Sequence, residues 1–79
     1  SAPLRAFPNP AYHTVEVTIP AGVTQVLITD TNGRLLEQWD DLVAGRRRWK
    51  VRGYAVGVYF LHYVQDGQQK TERLVIGRR

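Results

Sequence analysis

Apolar residues in this chain recur at every second position and nowhere hold a helical spacing for more than a turn, and that period decides the fold. Val15, Val17 and Ile19 alternate with Thr14, Glu16 and Thr18. Successive side chains of a strand point to opposite faces, so such alternation marks a half-buried strand. Pro20-Ala21-Gly22 ends it, because Pro lacks the ladder donor and Gly admits the turn. Val26 and Ile28 head the next strand. Asn32-Gly33 is expected to close a two-residue hairpin with both residues at positive φ, and Leu36 to resume the inward face. Asp40-Asp41 and Gly45 mark a loop; beyond it Trp49 and Val51 point one way and Arg46, Arg48, Lys50 and Arg52 the other. Gly53 and Gly57 bracket an irregular crossing that contains Tyr54. Tyr59, Leu61 and Tyr63 begin a last hairpin turned by Asp66-Gly67, and a closing strand runs from about Lys70 to Ile76 with Leu74 and Ile76 inward. About seven short, mostly antiparallel strands, with turn signals every ~8 to 12 residues, predict an all-β fold, an Ig-like β-sandwich.

Length sets the ceiling. A chain of 79 residues buries roughly 60 to 65% of its unfolded surface and has room for one core, so residues 1–79 are read as a single domain. Ser1 to Leu4 reads as a linker remnant, or Ser1-Ala2 as a cloning scar. No apolar run approaches the roughly 20 residues of a membrane helix, and the first residues lack the regions of a secretory signal, so an exported protein would carry that signal on a preceding segment. The absence of cysteine fits a reducing compartment or an exported domain folded without staples. In the opening segment Pro8 and Pro10 remove two donors and bias Phe7 and Asn9 away from helix, which predicts a strand stopping at a sheet edge, with Phe7 as its anchor.

The chain is poor in reactive groups. It has no Cys or Met, and its one serine is Ser1, so a Ser or Cys triad is excluded and the chain is not expected to be an enzyme. His13 and His62 fall on different strands without a second ligand at zinc spacing, and both read as solvated or hydrogen-bonded histidines. Asp30, Asn32 and Asp41 mimic positions of a calcium loop, but Arg34 would place a cation among the ligands and Leu35 stands where the bend needs Gly. Asp30 reads instead as a turn residue accepting backbone donors. No cofactor or metal is expected.

Two surfaces stand out. A strand sets Arg46, Arg48, Lys50 and Arg52 side by side on one face of a chain with net charge +4. Three readings compete for this stripe: a solvated face that discourages edge-to-edge aggregation, a docking patch for an acidic partner or an anionic surface glycolipid, and a nucleic-acid site. Nucleic acid is disfavoured because Trp49 and Tyr54, the nearby aromatics, are expected to point inward, away from bases. The second surface is the back of the Tyr59 strand, where Val58, Phe60, His62 and Val64 line up, joined by Val75 and Leu27. It reads as the covered back of a central strand or as an apolar face for docking or weak dimerisation. Tyr59 itself reads as a core aromatic with its hydroxyl tied to backbone.

Four signatures recur in a fixed order: Phe7-Pro8-Asn9-Pro10-Ala11, Asp30-Thr31-Asn32-Gly33-Arg34, Gly57-Val58-Tyr59 and Arg73-Leu74-Val75-Ile76. Each is common alone, but their order and spacing over nearly the whole chain resemble the type A C-terminal sorting domain of the type IX secretion system of Bacteroidota. The resemblance implies a non-catalytic secretion signal that crosses the periplasm, is read by the outer-membrane translocon and brings a larger cargo to the cell surface or the medium. It also implies a surface sortase that cuts many such domains, cargo release or attachment to an anionic lipopolysaccharide, and retention of the uncut domain in some members. Recognition then maps to Gly57, Tyr59, Arg73, Leu74, Val75 and Ile76, with Arg73 where the family usually has Lys. The Arg46-Arg47-Arg48 run and the two Trp residues fall outside the family pattern. The rival reading is an Ig-like or fibronectin-like adhesion module that binds carbohydrate or protein through its loops.

Overall fold

The structure, a computed structural model, describes residues 2–78. Seven strands follow one another: β1 (Arg5–Phe7), β2 (Thr14–Ile19), β3 (Val26–Thr29), β4 (Leu35–Trp39), β5 (Gly45–Lys50), β6 (Gly57–Gln65) and β7 (Gln68–Ile76). They form two sheets, ordered β1-β2-β5 and β4-β3-β6-β7, in which every strand pair is antiparallel. This is the expected Ig-like sandwich, with the fourth strand on the larger sheet.

Alternation places the core where the sequence put it. Val15, Val17 and Ile19 from one sheet meet Val26, Ile28, Leu61, Leu74 and Ile76 from the other, all of them buried. Each such side chain contributes roughly 1.5–3 kcal/mol through the area it removes from water. At one side of the sandwich four aromatics stack edge-on: Trp39 against Trp49 at 5.7 Å between centroids, Trp49 against Tyr54 at 5.3 Å, and Tyr54 against Tyr59 at 6.0 Å. The Arg47 guanidinium lies 4.4 Å over the Trp39 ring and closes the row. Tyr59 behaves as expected, its hydroxyl donating to the Ala55 carbonyl four residues upstream. That bond fixes the entry into β6, as the tyrosine corner of Ig folds does.

Several local expectations need correction. Phe7 does not anchor the core: it is 74% exposed, because β1 pairs Ala6 with inward Val17 and leaves Phe7 beside Glu16 on the outer face. Leu4 is buried and its amide donates to the Tyr63 hydroxyl at 3.3 Å. The buried Gln65 donates to the Ala2 carbonyl at 2.8 Å. The segment from Ala2 to Leu4, expected as linker, is therefore held by the domain, while Ser1 lies outside the described residues. Asn32-Gly33 does not make a two-residue hairpin: of the pair only Gly33 has a positive φ, and β3 and β4 are separated by residues 30–34 with a register shift at Ile28/Thr29. Asp30 causes the difference, since its Oδ1 accepts the amides of Asn32 at 2.9 Å and Arg34 at 3.0 Å and holds a wider loop. Asp66-Gly67 does make the tight turn, with φ of 53° and 74° and Gln65 paired with Gln68.

Glu37 of β4 faces the aromatic row, and the Tyr54 hydroxyl donates to its carboxylate. Burial, followed by that bond, pushes the Tyr54 phenol up to about 12 from its ordinary 10.0. The protonated phenol is thus favoured by the fold; its contribution to stability is complete below pH 10 and is lost as pH rises toward 12. In a phenolate absorbance titration Tyr54→Phe should remove a transition near pH 12 and flatten the alkaline fall in stability over that window. A titration unaltered by the substitution would refute the assignment.

Candidate functional site

The last strand has one edge bonded to β6 and one edge facing away from the four-stranded sheet. The opening segment covers that second edge. Both of its prolyl bonds, Phe7–Pro8 and Asn9–Pro10, are cis, and Asn9 lies beside the strand. Its Nδ2 donates to the Arg73 carbonyl at 2.8 Å, and the Val75 amide donates to its Oδ1 at 2.9 Å. One side-chain amide thereby supplies the donor and acceptor that a neighbouring strand would have offered. Two residues on, backbone takes over: Ala11 donates to the Val75 carbonyl at 2.8 Å and the Gly77 amide donates to Ala11 at 2.8 Å, a parallel bridge. Ala11 is fully buried at this junction. The opening motif is therefore more than a strand stop. Its contact with β7 spans 64 to 66 residues of sequence, and no local pattern signals so distant a pairing.

The residues expected to mediate recognition divide into two sets. Leu74 and Ile76 are buried, and Tyr59 nearly so, so they hold the hairpin from inside. Arg73 and Val75 face the other way, paired across the hairpin with Phe60 and Val58. Gly57 sits at the mouth of the hairpin opposite Ile76. The outer face of this sheet thus carries Val58, Phe60, Val75 and Leu27, each partly exposed, with Arg73 exposed among them and Val64 57% exposed at the far end. His62 sits in the middle, within hydrogen-bond reach of two hydroxyls, Thr29 Oγ1 at 2.8 Å and Thr71 Oγ1 at 3.1 Å. Most of this apolar face is thus half-buried.

The basic residues lie on the opposite side of the molecule. Arg46, Arg48 and Lys50 of β5 are exposed on the outer face of the three-stranded sheet, while Arg52 lies in the turn beyond the strand. Register adds a residue the sequence did not single out: Arg5 pairs with Thr18, which pairs with Arg46, so Arg5 joins the same face. Arg47, between them, is exposed too, but its guanidinium lies over the Trp39 ring. Trp49 is buried, as expected, and Tyr54 partly so.

By architecture this is an Ig-like module whose closing hairpin is displayed on one face and tied at its edge by the opening motif. The chain belongs to the family of secretion system C-terminal sorting domains, whose model matches residues 5–77. No curated protein and no solved structure matches the chain. Membership implies a sorting signal of the type IX secretion system, interaction with that machinery, and export to the cell surface or extracellular space. The matched span includes both the opening motif and the strand it ties.

The Asn9 tie makes a direct prediction. Asn9→Ala removes both side-chain bonds to β7, and at a net ~0.5–1.5 kcal/mol for each hydrogen bond the loss should be about 1–3 kcal/mol. Urea unfolding should show a lower midpoint with an unchanged slope, and hydrogen exchange at the Val75 amide should accelerate. Native protection at Val75 in a folded Asn9→Ala protein would refute the tie.

Proposed function

We propose that the translocon reads the outer face of the β6–β7 hairpin, with Arg73 and Val75 as the contacting residues and Val58, Phe60 and Val64 as the apolar ground around them. The observation that supports this is the split within one short motif: Leu74 and Ile76 are buried while Arg73 and Val75 point out beside Phe60 and Val58. Gly57, Tyr59, Leu74 and Ile76 then act indirectly, by holding the strand in register. A cation set within an apolar patch gives a partner both area and orientation, since buried apolar contact drives association and charge fixes its register. In this reading the domain follows its cargo across the periplasm, engages the translocon through the hairpin, and meets a surface sortase that cuts it away or leaves it in place. The cargo is then released or attached to anionic lipopolysaccharide.

The test is a fusion of residues 1–79 behind a periplasm-exported reporter in a type IX-competent bacterium. The intact fusion should reach the surface, and deletion of residues 72–79 should leave the reporter in the periplasm. Loss of folding would mimic that result, so the deciding variant is Arg73→Glu with Val75→Ser. It spares the buried side of β7 and should keep a cooperative unfolding transition while export falls severalfold. Normal export of that folded variant would sink the hairpin reading. Failure of the intact fusion to reach the surface at all would favour an adhesion module instead.

A further inference from the structure

The two sandwich edges at β7 and β5 are treated differently. At β7 the opening motif occupies the outward backbone groups. β5 is the last strand of its sheet, with β2 on one side and, among the described residues, no strand on the other. The direction of its free groups follows from one bond: the Val51 amide donates to the His13 carbonyl at 2.9 Å, toward the β2 side. Backbone groups of an antiparallel strand alternate in direction residue by residue. Trp49 and Arg47 therefore bond toward β2, opposite Val15 and Val17, and Arg46, Arg48 and Lys50 turn their amides and carbonyls to the open edge. These three residues also carry the exposed cations of the outer face. Among the described residues their one ion pair is Arg46 with Glu16, at 4.0 Å and largely solvated. Open ladder groups and unbalanced positive charge thus coincide on the same three residues.

We propose that β5 is a docking edge for an extended acidic segment of another protein, which adds to the three-stranded sheet as a fourth strand. Antiparallel partners set directly opposite residues about 4.5–5.5 Å apart, so a segment with Asp or Glu at alternate positions would place a carboxylate beside each of Arg46, Arg48 and Lys50. Arg5 extends the positive field across the face toward β1. A second copy of this chain is disfavoured as the occupant, because two β5 edges would bring like charges together. The same cations that block self-pairing select an acidic strand, and main-chain bonds supply the affinity, as in other strand-addition complexes. This goes beyond the sorting reading and does not depend on it: the edge lies on the opposite sheet from the hairpin, so either can fail alone.

The probe is a short synthetic peptide alternating Glu with Val, titrated into the isotopically labelled domain at low salt. Amide shift changes should centre on residues 46–50, and binding should weaken steeply with added salt. The triple variant Arg46→Gln, Arg48→Gln, Lys50→Gln, with its exposed positions leaving the core intact, should weaken binding about tenfold. The decisive ligand is the same peptide N-methylated at alternate backbone nitrogens, which keeps every charge and removes the ladder donors; it should not bind. Equal binding of the methylated peptide, or binding of a sulfated polysaccharide where the peptide fails, would make the stripe a diffuse anion site and overturn strand addition. Absence of peptide binding at low salt, or shifts centred on β6 and β7, would overturn it too.

Discussion

An unpaired strand edge leaves backbone donors and acceptors without partners, and in a domain this small the way each edge is satisfied shapes everything else. Here the critical edge is that of β7. Asn9 spans it with one planar amide and Ala11 continues with backbone bonds, so the opening segment completes the four-stranded sheet while belonging to the other one. The two sheets are joined by this exchange as well as by core packing. Pro8 and Pro10 fit the arrangement because neither brings an amide donor that would need a partner of its own.

What the sequence shows best is whatever depends on near neighbours. Alternation identified the inward residues of β2, β6 and β7, since period two is a property of a single strand. The Asp66-Gly67 turn was legible because its two residues alone set its geometry. Asn32-Gly33 carries the same local signal, yet a side chain two residues earlier outbids it for the backbone amides. Phe7 misled for a related reason: its size suggests burial, but the face it takes is set by pairing with β2. Asn9 and Arg5 were invisible as contributors, because the partners that give them meaning lie far along the chain and are brought near only by register.

The two outer faces differ in chemical character. Behind the larger sheet, apolar side chains surround Arg73 and a histidine held between hydroxyls. Behind the smaller sheet, cations stand over an edge with free backbone groups. Trp39, Trp49 and Tyr54 pack edge-on with Arg47 over Trp39, so the Arg run and the two tryptophans are built into one side of the sandwich. Their packing fixes β5 from within while its charges remain outside.

The parallel bridge between Ala11 and Ile76 has a mechanical meaning. When two strands run in the same direction, tension applied upstream of one and downstream of the other slides them along their common axis. Hydrogen bonds running across that axis are then loaded together and yield as a group, whereas an antiparallel hairpin pulled from its open end unzips one bond at a time. Asn9 adds its two bonds to the set that shares the load. A pull directed along the chain through this domain therefore loads in shear the place where the first motif and the last strand cross.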